Sequence, residues 1–449
     1  MHPPADPWGE AVARFLGDLL DDVAIDLVYA PDGPPNSTRP GPPAQPWSAV
    51  LPGPTGWSAT LNLHLSPGSR ALYGATGPTD LPSEFTDLPG AAARAIDRIT
   101  VGADPAAGGV YPTLAVALHD VVVAEILAEK VSERSVADVP ADVALLVSDT
   151  LSYVTELSQR RVEGRSLTHG VVIGPATTEV AERRGQVSYP ADVRALKRTP
   201  LLFDGLRSCL AVGPSGAVQG EITRRSLAAL DIEDLLEPLE EALGDAGALV
   251  AAASRALNGV GFFLAADQAI WIFDQGQPLM LRRGGRWKAI PFASLIGGLA
   301  ELVGSQPLAA LVARTALLAS LDNHGAIIAV VDSSDRVEGV VEPKDRYDVA
   351  RSGEGEGPAE FLVHRLLHAD DLDVATLLRL AVIDGATVLD SLGQLLAYGA
   401  IVRSESSQGE GARTAAARTL SRVARVVLRV SEDGPIAVFV DGAQIATLL

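Results

Sequence analysis

The chain has 449 residues, of which 47% are hydrophobic and 20% are charged, and its formal net charge is −20. This length exceeds that of one ordinary core, so we expect two or three domains of globular composition. The acidic balance excludes sequence-independent binding of DNA or RNA, which needs clusters of Lys and Arg that release counterions. The net negative charge is still compatible with a small anionic ligand, because a few Lys or Arg residues at one place suffice to bind it.

No targeting or membrane signal is predicted. Residues 1–30 lack a basic segment that leads into an apolar run, as a secretory signal would require. The longest apolar helix candidates, such as 308–321, are too short and too charged to cross a membrane. Cys209 is the single cysteine, which excludes an intramolecular disulfide and a CxxC metal site. We therefore expect a bacterial, cytoplasmic protein without a membrane partner.

The N-terminal part begins with a helix and a linker. Apolar residues at helical spacing over 7–29 predict one amphipathic helix. Residues 30–47 are dense in Pro and Gly, which predicts a linker without regular structure. We assign both features to residues 1–60.

A mixed α/β region is predicted over 61–292. It contains a strand, two helices, a hairpin with a Gly turn, an acidic helix and a β-meander: 57–65, 115–133, 141–165, 206–222, 232–258 and 261–292. Strands and helices are mixed along this region without a repeat of fixed period.

The final part, 293–449, is predicted to be an α/β domain with a central mixed β-sheet flanked by helices. The predicted order is helix, strand, two helices, two strands, helix and two strands: 293–321, 324–332, 359–369, 373–382, 385–390, 395–402, 412–424, 425–431 and 436–441. The interleaving of strands and helices carries this prediction.

Four stretches of this part resemble one enzyme domain in their order and spacing. They are HGAIIAVVD, IDGATVLDSLGQLLAYGAIV, GEGARTAAARTLS and VVLRVSEDGPIAVFVDG. Together they are similar to the diadenylate cyclase (DAC) domain, which condenses two ATP molecules into cyclic di-AMP. The resemblance covers roughly residues 300–449.

The resemblance implies a nucleotide site with a divalent cation, Mg²⁺ or Mn²⁺. The DGA aspartate, Asp384, would hold the metal beside the attacking ribose 3′ oxygen, and Gly385 and Ala386 would let the adenosine approach closely. Glu432, preceded by Ser431, would be a second carboxylate on the metal or phosphate side. The phosphate loop would be Gly411, Ala412, Arg413, Thr414 and Ala415.

These residue types suit attack at an α-phosphate. A Mg²⁺ ion takes one or two carboxylates together with phosphate oxygens, so two carboxylates on neighbouring strand ends would suffice. A Gly-rich loop that opens a helix offers free backbone N–H groups and the positive end of the helix dipole to phosphate. Asp384 and Arg413 are the predicted catalytic residues.

The chain departs from the family in the phosphate loop. The family motif is Gly-Thr-Arg-His-Arg, whereas Thr414 stands for the His and Ala415 for the second Arg. Loss of one preorganised donor costs about 10²–10³ in rate, so the missing charge needs a replacement. Arg418 and Arg403 are the candidates.

Two functions follow from the resemblance. The first is a diadenylate cyclase-like nucleotidyltransferase that works as a face-to-face homodimer, because each 3′ oxygen must attack the partner's α-phosphate. The second is a degenerate DAC domain that senses ATP or a cyclic nucleotide. The substitutions at Thr414 and Ala415 favour the sensor, whereas the retained Asp384 and Glu432 favour the enzyme.

Segments 162–175, 194–222 and 271–287 are similar to a sensor region that precedes some DAC domains. This resemblance implies a sensing role and names no ligand.

Each site assignment has a plainer alternative. DGA is a common turn tripeptide, Arg413 fits a solvated helix face, and Glu432 fits a turn over SEDGP. His364 and His368 have metal-ligand spacing, but no further ligand completes a site, so a packing or surface role is favoured.

Overall fold

The computed structural model describes residues 6–21, 23–31, 48–52, 57–73, 81–100, 111–135, 142–162, 164–175, 187–196, 198–228, 243, 247–347, 372–403 and 411–449. They form two compact units. The first unit is Met1–His64 with Thr79–Pro291, and the second is Leu65–Pro78 with Phe292–Leu449. The sequence does not predict that Leu65–Pro78 joins the second unit.

The described helices are α1 (Pro7–Leu19), α2 (Pro67–Leu72), α3 (Leu88–Thr100), α4 (Tyr111–Glu133), α5 (Val143–Ser158), α6 (Ala191–Arg194), α7 (Thr199–Leu202), α8 (Arg224–Ala228), α9 (Ala248–Ala256), α10 (Phe292–Val303), α11 (Gln306–Leu321), α12 (Val374–Ala381) and α13 (Ala412–Ser421). Short 3₁₀ helices cover Ser83–Phe85, Ser334–Val337 and Pro343–Asp345.

The described strands are β1 (Val23–Pro31), β2 (Ser48–Pro52), β3 (Trp57–Leu65), β4 (Arg161–Val162), β5 (Arg165–Ser166), β6 (His169–Ile173), β7 (Ser208–Val212), β8 (Val218–Thr223), β9 (Val260–Leu264), β10 (Ile270–Asp274), β11 (Gln277–Arg283), β12 (Arg286–Ala289), β13 (Ala326–Val331), β14 (Ala386–Asp390), β15 (Leu395–Ala400), β16 (Val426–Val430), β17 (Ile436–Val440) and β18 (Ala443–Leu448).

The first unit is mixed α/β, as the sequence predicts. Its larger sheet has seven strands in the order β12-β11-β10-β9-β6-β7-β8, and a smaller sheet has the order β1-β3-β2. Strands β6, β7, β8, β10, β11 and β12 of the three sensor-like segments belong to the larger sheet, whereas β5 pairs with β4 in a separate two-stranded sheet. The predicted hairpin is β7–β8 and the predicted meander is β9–β12.

The second unit is built on a mixed six-stranded sheet in the order β15-β14-β13-β16-β17-β18. Along β13 the side chains alternate between the two faces, since successive residues of a strand point in opposite directions. Ile327 and Ala329 lie in one buried cluster with Ala417 and Leu420 of α13. Ile328, of the opposite parity, is also buried, and α11 contacts the same strand. The α/β prediction with helices flanking a mixed sheet is confirmed.

Two predicted helices are wrong in extent. The helix predicted over 7–29 ends at Leu19 and is followed by β1, because the short apolar run VAIDLV satisfies a strand period as well. The helix predicted over 293–321 is divided: Gly304 has a φ of +78°, and Ser305 caps α11 by accepting from the Leu308 N–H. The final strand, β18, is missing from the sequence prediction.

Some predictions fall outside the described residues. They concern most of the linker over 30–47, the first half of the acidic helix over 232–258, and the helix over 359–369 that carries His364 and His368.

Candidate functional site

The predicted site residues gather at one edge of the six-stranded sheet. Strand β13 pairs in parallel with β14 and antiparallel with β16. When the register is continued three residues beyond Ile328–Thr387 and one residue beyond Ala326–Val430, Gly325, just before β13, is level with Asp384 on one side and Ser431 on the other. One row across three adjacent strands therefore contains both acidic stretches. Asp384 lies just before β14, and Ser431 lies just after β16.

Arg413 joins the two sides of this row. Its Nη1 donates to Glu432 Oε1 at 2.6 Å, and its Nη2 lies 3.9 Å from Asp384 Oδ1. Gly325 lies beneath it: a Cβ on this glycine would stand 2.4 Å from Arg413 Nη1 and 2.5 Å from Cζ. The guanidinium thus crosses the start of β13 because that position has no side chain.

The three charged side chains differ in exposure. The Asp384 side chain is 99% exposed, that of Glu432 66% and that of Arg413 39%. The arginine is therefore held against the protein, whereas Asp384 faces solvent and is open to a ligand. An exposed carboxylate beside a fixed guanidinium suits a ligand with both a cationic and an anionic part, such as a metal–phosphate group.

Gly385 and Ala386 shape the turn that presents Asp384. Gly385 has a φ of +118°, and a Cβ there would lie 2.4 Å from the carbonyl carbon of Gly399. Only glycine fits both the left-handed backbone and the close approach to the neighbouring chain. Ala386 is fully buried as the first residue of β14. Both residues thus have structural reasons for their identity besides any contact with adenosine.

The start of α13 has three backbone N–H groups without helical acceptors. Gly411 is the N-cap residue, and no side chain among the described residues caps the helix there. The first helical bond of this turn runs from the Ala415 N–H to the Gly411 carbonyl, so the N–H groups of Ala412, Arg413 and Thr414 have no helical acceptor. Free N–H groups and the positive end of the dipole favour an anion at this position.

Thr414 and Ala415, the two departures from the family motif, have different surroundings. Ala415 is 8% exposed, so its methyl group packs inside the second unit. Thr414 is only partly buried, and its Oγ1 accepts from Arg429 Nη1 of β16 at 3.4 Å. The helix thus lacks the second arginine of the family motif, but the guanidinium of Arg429, from the adjacent strand β16, lies beside its first turn.

The two predicted substitutes are placed differently from Arg429. Arg403 Nη2 donates to Glu342 Oε1 at 3.1 Å, so its charge is already paired. Arg418 lies in the second turn of α13, one turn beyond Thr414.

Ser431 and Glu432 belong to a tight turn after β16. The Ser431 hydroxyl donates to the Asp433 carboxylate, and this bond lowers the pKa of Asp433. The Ser431 N–H donates to the Pro435 carbonyl at 2.9 Å. The Ser431 side chain is thus engaged within the turn, while Glu432 faces Arg413. Glu432 is therefore a turn residue whose carboxylate pairs with Arg413, and its assignment to a nucleotide site stays a prediction.

The metal prediction requires one correction. The sequence interpretation sets the two carboxylates on neighbouring strand ends, but β13 lies between β14 and β16. Strands are about 4.8 Å apart, so the two backbone positions differ by about 10 Å, and the Arg413 guanidinium stands between the carboxylates. No group of three His, Cys, Asp or Glu suited to a metal occurs within the part of the chain that the structure describes. The donors fit an ion held by Asp384 and phosphate oxygens better than one shared with Glu432.

Gly325 and Arg429 also lie at this edge of the sheet, but the sequence interpretation does not include them. Gly325 precedes a buried strand, and a glycine at that point signals close approach of another group. Arg429 interrupts the apolar run VVLRV, and a charge inside a buried strand is the signal for it. The contact of each with α13 appears only in the folded chain.

No protein-family model matches the chain, and no curated protein matches it. Among solved structures, a cysteine double mutant of DacA from Staphylococcus aureus matches at 17% identity with a TM-score of 0.22. The match covers 33% of this chain and 88% of that one. Within the described residues, no helix is both long and apolar enough to cross a membrane. The function proposed below therefore rests on this chain's own residues.

Proposed function

We propose that the second unit is a diadenylate cyclase-like nucleotidyltransferase that condenses two ATP molecules into cyclic di-AMP or a related cyclic dinucleotide. The observation that carries the proposal is the position of Arg413. It crosses Gly325 between Asp384 and Glu432, beside a helix start with free N–H groups. These groups would receive the phosphates, and Asp384 would face the ribose.

Each residue has a defined task in this proposal. Arg413 and the N–H groups of Ala412 to Thr414 bind phosphate oxygens and stabilise the charge that develops on them. For this, Arg413 exchanges its bond to Glu432 for one to phosphate, and Glu432 limits the positive charge of the empty site. Asp384 positions the 3′ hydroxyl. A divalent cation, Mg²⁺ or Mn²⁺, would be held by Asp384 and would neutralise phosphate charge when bound.

The reaction requires two copies of the chain. Each 3′ oxygen forms a bond to the α-phosphorus of the ATP on the other protomer, the bond between the α- and β-phosphates breaks, pyrophosphate leaves and the hydroxyl proton passes to solvent. A symmetric face-to-face dimer would carry out both attacks in equivalent sites. The exposed Asp384 carboxylate suits a group that meets a second copy.

The alternative is a sensor of ATP or a cyclic nucleotide. It is favoured by the uncharged Thr414 and the buried Ala415, since a binding site needs less transition-state stabilisation than an enzyme. In either case the first unit would have the sensing or reporting role that its sequence resemblance implies.

The direct test is incubation of the purified full chain with labelled ATP and either Mn²⁺ or Mg²⁺, followed by chromatographic separation of the nucleotides. Cyclic di-AMP that accumulates in proportion to protein and is absent from an Asp384→Asn preparation would support the enzyme. Saturable ATP binding with no product under any metal would support the sensor. Absence of both binding and product would contradict the proposed nucleotide site.

A further inference from the structure

We propose that Arg429 is a second phosphate-binding cation of this site and takes over the charge that the helix lacks at Ala415. The inference rests on the proposed function, and it concerns the ligand's phosphate chain. The guanidinium enters from strand β16 instead of from helix α13. The same phosphate group would thus meet Arg413 from one element and Arg429 from another.

The side chain of Arg429 is directed towards the first turn of α13. Its neighbours of the same parity on β16 include Val427, which lies in the buried cluster with Ala417 and Leu420 of that helix. Arg429 therefore leaves the sheet on the face that α13 covers, and it reaches Thr414 Oγ1 with Nη1 at 3.4 Å. The contact is long for a hydrogen bond to a hydroxyl, so it uses little of the donor capacity of the guanidinium.

Arg429 has more donors than the described residues satisfy. Its Nε is buried without a hydrogen-bond partner. Arginines elsewhere in this unit pair with carboxylates, such as Arg425 with Asp332 and Arg403 with Glu342.

The pKa of Asp433 is lowered chiefly by the Ser431 hydroxyl and to a smaller extent by the charge of Arg429, so this exposed carboxylate lies within electrostatic range of the guanidinium. Among the described residues no carboxylate lies within ion-pair distance of Arg429. A partly buried guanidinium without a directly paired carboxylate is stabilised by an anion that binds beside it.

The position of the Arg429 charge also favours a bound anion. Cations are unfavourable at the N-terminus of a helix, where the dipole is already positive. Nevertheless, Arg413 belongs to the first turn of α13 and Arg429 contacts Thr414 of the same turn. This turn also offers three N–H groups without helical acceptors. An anion with several oxygen atoms satisfies these donors together, and a phosphate chain has that chemistry. A single carboxylate offers too few acceptors for two guanidiniums and the helix start.

The experiment is calorimetric titration of the full chain with ATP and with adenosine, in EDTA so that no metal contributes. Arg429→Met keeps the apolar stem and removes the guanidinium. We expect its affinity for ATP to fall by about 10- to 100-fold, since charge-assisted hydrogen bonds are lost. The affinity for adenosine should change less than about twofold, because adenosine has no phosphate to lose contact with.

The matched control is Arg336→Met, which removes an equally charged side chain at the other end of β13, where it pairs with Asp332 at 3.6 Å. It should bind ATP as the unmodified chain does. A second variant, Arg429→Lys, keeps the charge within the strand and should lose at least about threefold in ATP affinity, because lysine cannot grip two oxygens.

The outcomes separate this inference from the function on which it rests. If the unmodified chain binds ATP neither in EDTA nor with Mg²⁺, the proposed function fails and this inference fails with it; if it binds ATP only with Mg²⁺, the same variants are compared in Mg²⁺. If the unmodified chain binds ATP and both Arg429 variants bind it equally well, the function stands and the role of Arg429 is overturned. A loss for ATP and adenosine alike would also overturn it, because that result indicates general damage to the site. Circular dichroism identifies an unfolded Arg429→Met variant, in which case the lysine variant decides.

Discussion

The two ends of strand β13 have the same kinds of charged residues but use them differently. At its C-terminal end, Arg425 donates to Asp332 at 2.5 Å and to the Val303 carbonyl at 2.9 Å, and Arg336 adds a second contact to the carboxylate. At its N-terminal end, Arg413 lies between Asp384 and Glu432, and Arg429 forms no ion pair among the described residues, although its charge reaches Asp433. The first end is satisfied by its own groups, and the second has spare donors.

By this difference, the C-terminal end of β13 has a structural ion pair, whereas the N-terminal end is a candidate binding site. A charged cluster alone indicates neither, since surface pairs contribute little and occur widely. Donors that lack a helical acceptor at a helix start, beside a fully exposed carboxylate, are open to an anionic ligand that replaces water. The comparison therefore predicts that equivalent substitutions will affect function at one end and only stability at the other.

The largest effect is expected for charge removal at Asp384. Asp384→Asn should lower the formation of cyclic dinucleotide by at least about 100-fold, because in the proposed site this carboxylate holds the metal and positions the ribose. Its melting temperature should not change, since the side chain is 99% exposed. The matched substitution at the other end, Asp332→Asn, should leave turnover within about twofold. Equal losses in the two variants would contradict the comparison.

The next effect is on folding at the turn before β14. Gly385→Ala should lower the free energy of unfolding by about 2–5 kcal/mol, because it adds backbone strain and a clash with the chain at Gly399. The measurement is urea denaturation. Gly297 of α10, where a Cβ would meet nothing within 4 Å, is the control, and Gly297→Ala should raise stability by up to about 1 kcal/mol. Full stability of Gly385→Ala would show that this turn differs from the one described.

A smaller, purely functional effect is expected at Gly325. The atoms that a new Cβ would meet are at the end of the Arg413 side chain, which moves at little cost. Gly325→Ala should therefore keep its stability within about 0.5 kcal/mol but weaken ATP binding by about tenfold, because Arg413 is displaced. Calorimetric titration and urea denaturation of one preparation test both parts. Unchanged ATP affinity would remove the crossing arginine from the site.

The smallest effect is the pH dependence of stability at the C-terminal end of β13. The hydrogen bond from Arg425 holds the pKa of Asp332 below its usual value. The stabilisation is thus present above the unfolded-state pKa of about 3.9 and is lost as the pH falls through the lower folded-state pKa. Asp332→Asn should cost about 0.2–1 kcal/mol at pH 7 and less below pH 3, as measured by urea denaturation. A destabilisation by Asp332→Asn that increases as the pH falls would contradict this prediction.

The sequence predicts most strands of the second unit because runs such as AIIAVV are short, rich in β-branched residues and bounded by turn-forming residues. It fails at Gly304, where a single left-handed residue divides a continuous apolar pattern into α10 and α11. It also fails over 23–31, where a short apolar run fits both a helix and a strand.

The candidate site is only partly predictable for a different reason. Asp384, Arg413 and Glu432 follow from spacing and resemblance, but the insertion of β13 between their strands depends on the order of strands in the sheet. That order makes Gly325 part of the site and moves the carboxylates apart. Arg429 meets Thr414 only because α13 packs back over the strand that follows it.

The most direct test of the account compares the two ends of β13 by one measurement. ATP is titrated into Arg413→Met and Arg425→Met variants of the full chain, each of which loses one guanidinium from one end of the same strand. We expect Arg413→Met to weaken binding by about 10- to 100-fold and Arg425→Met to leave it within about twofold. Equal affinities in the two variants, or a larger loss for Arg425→Met, would contradict the assignment of the nucleotide site to the Arg413 end.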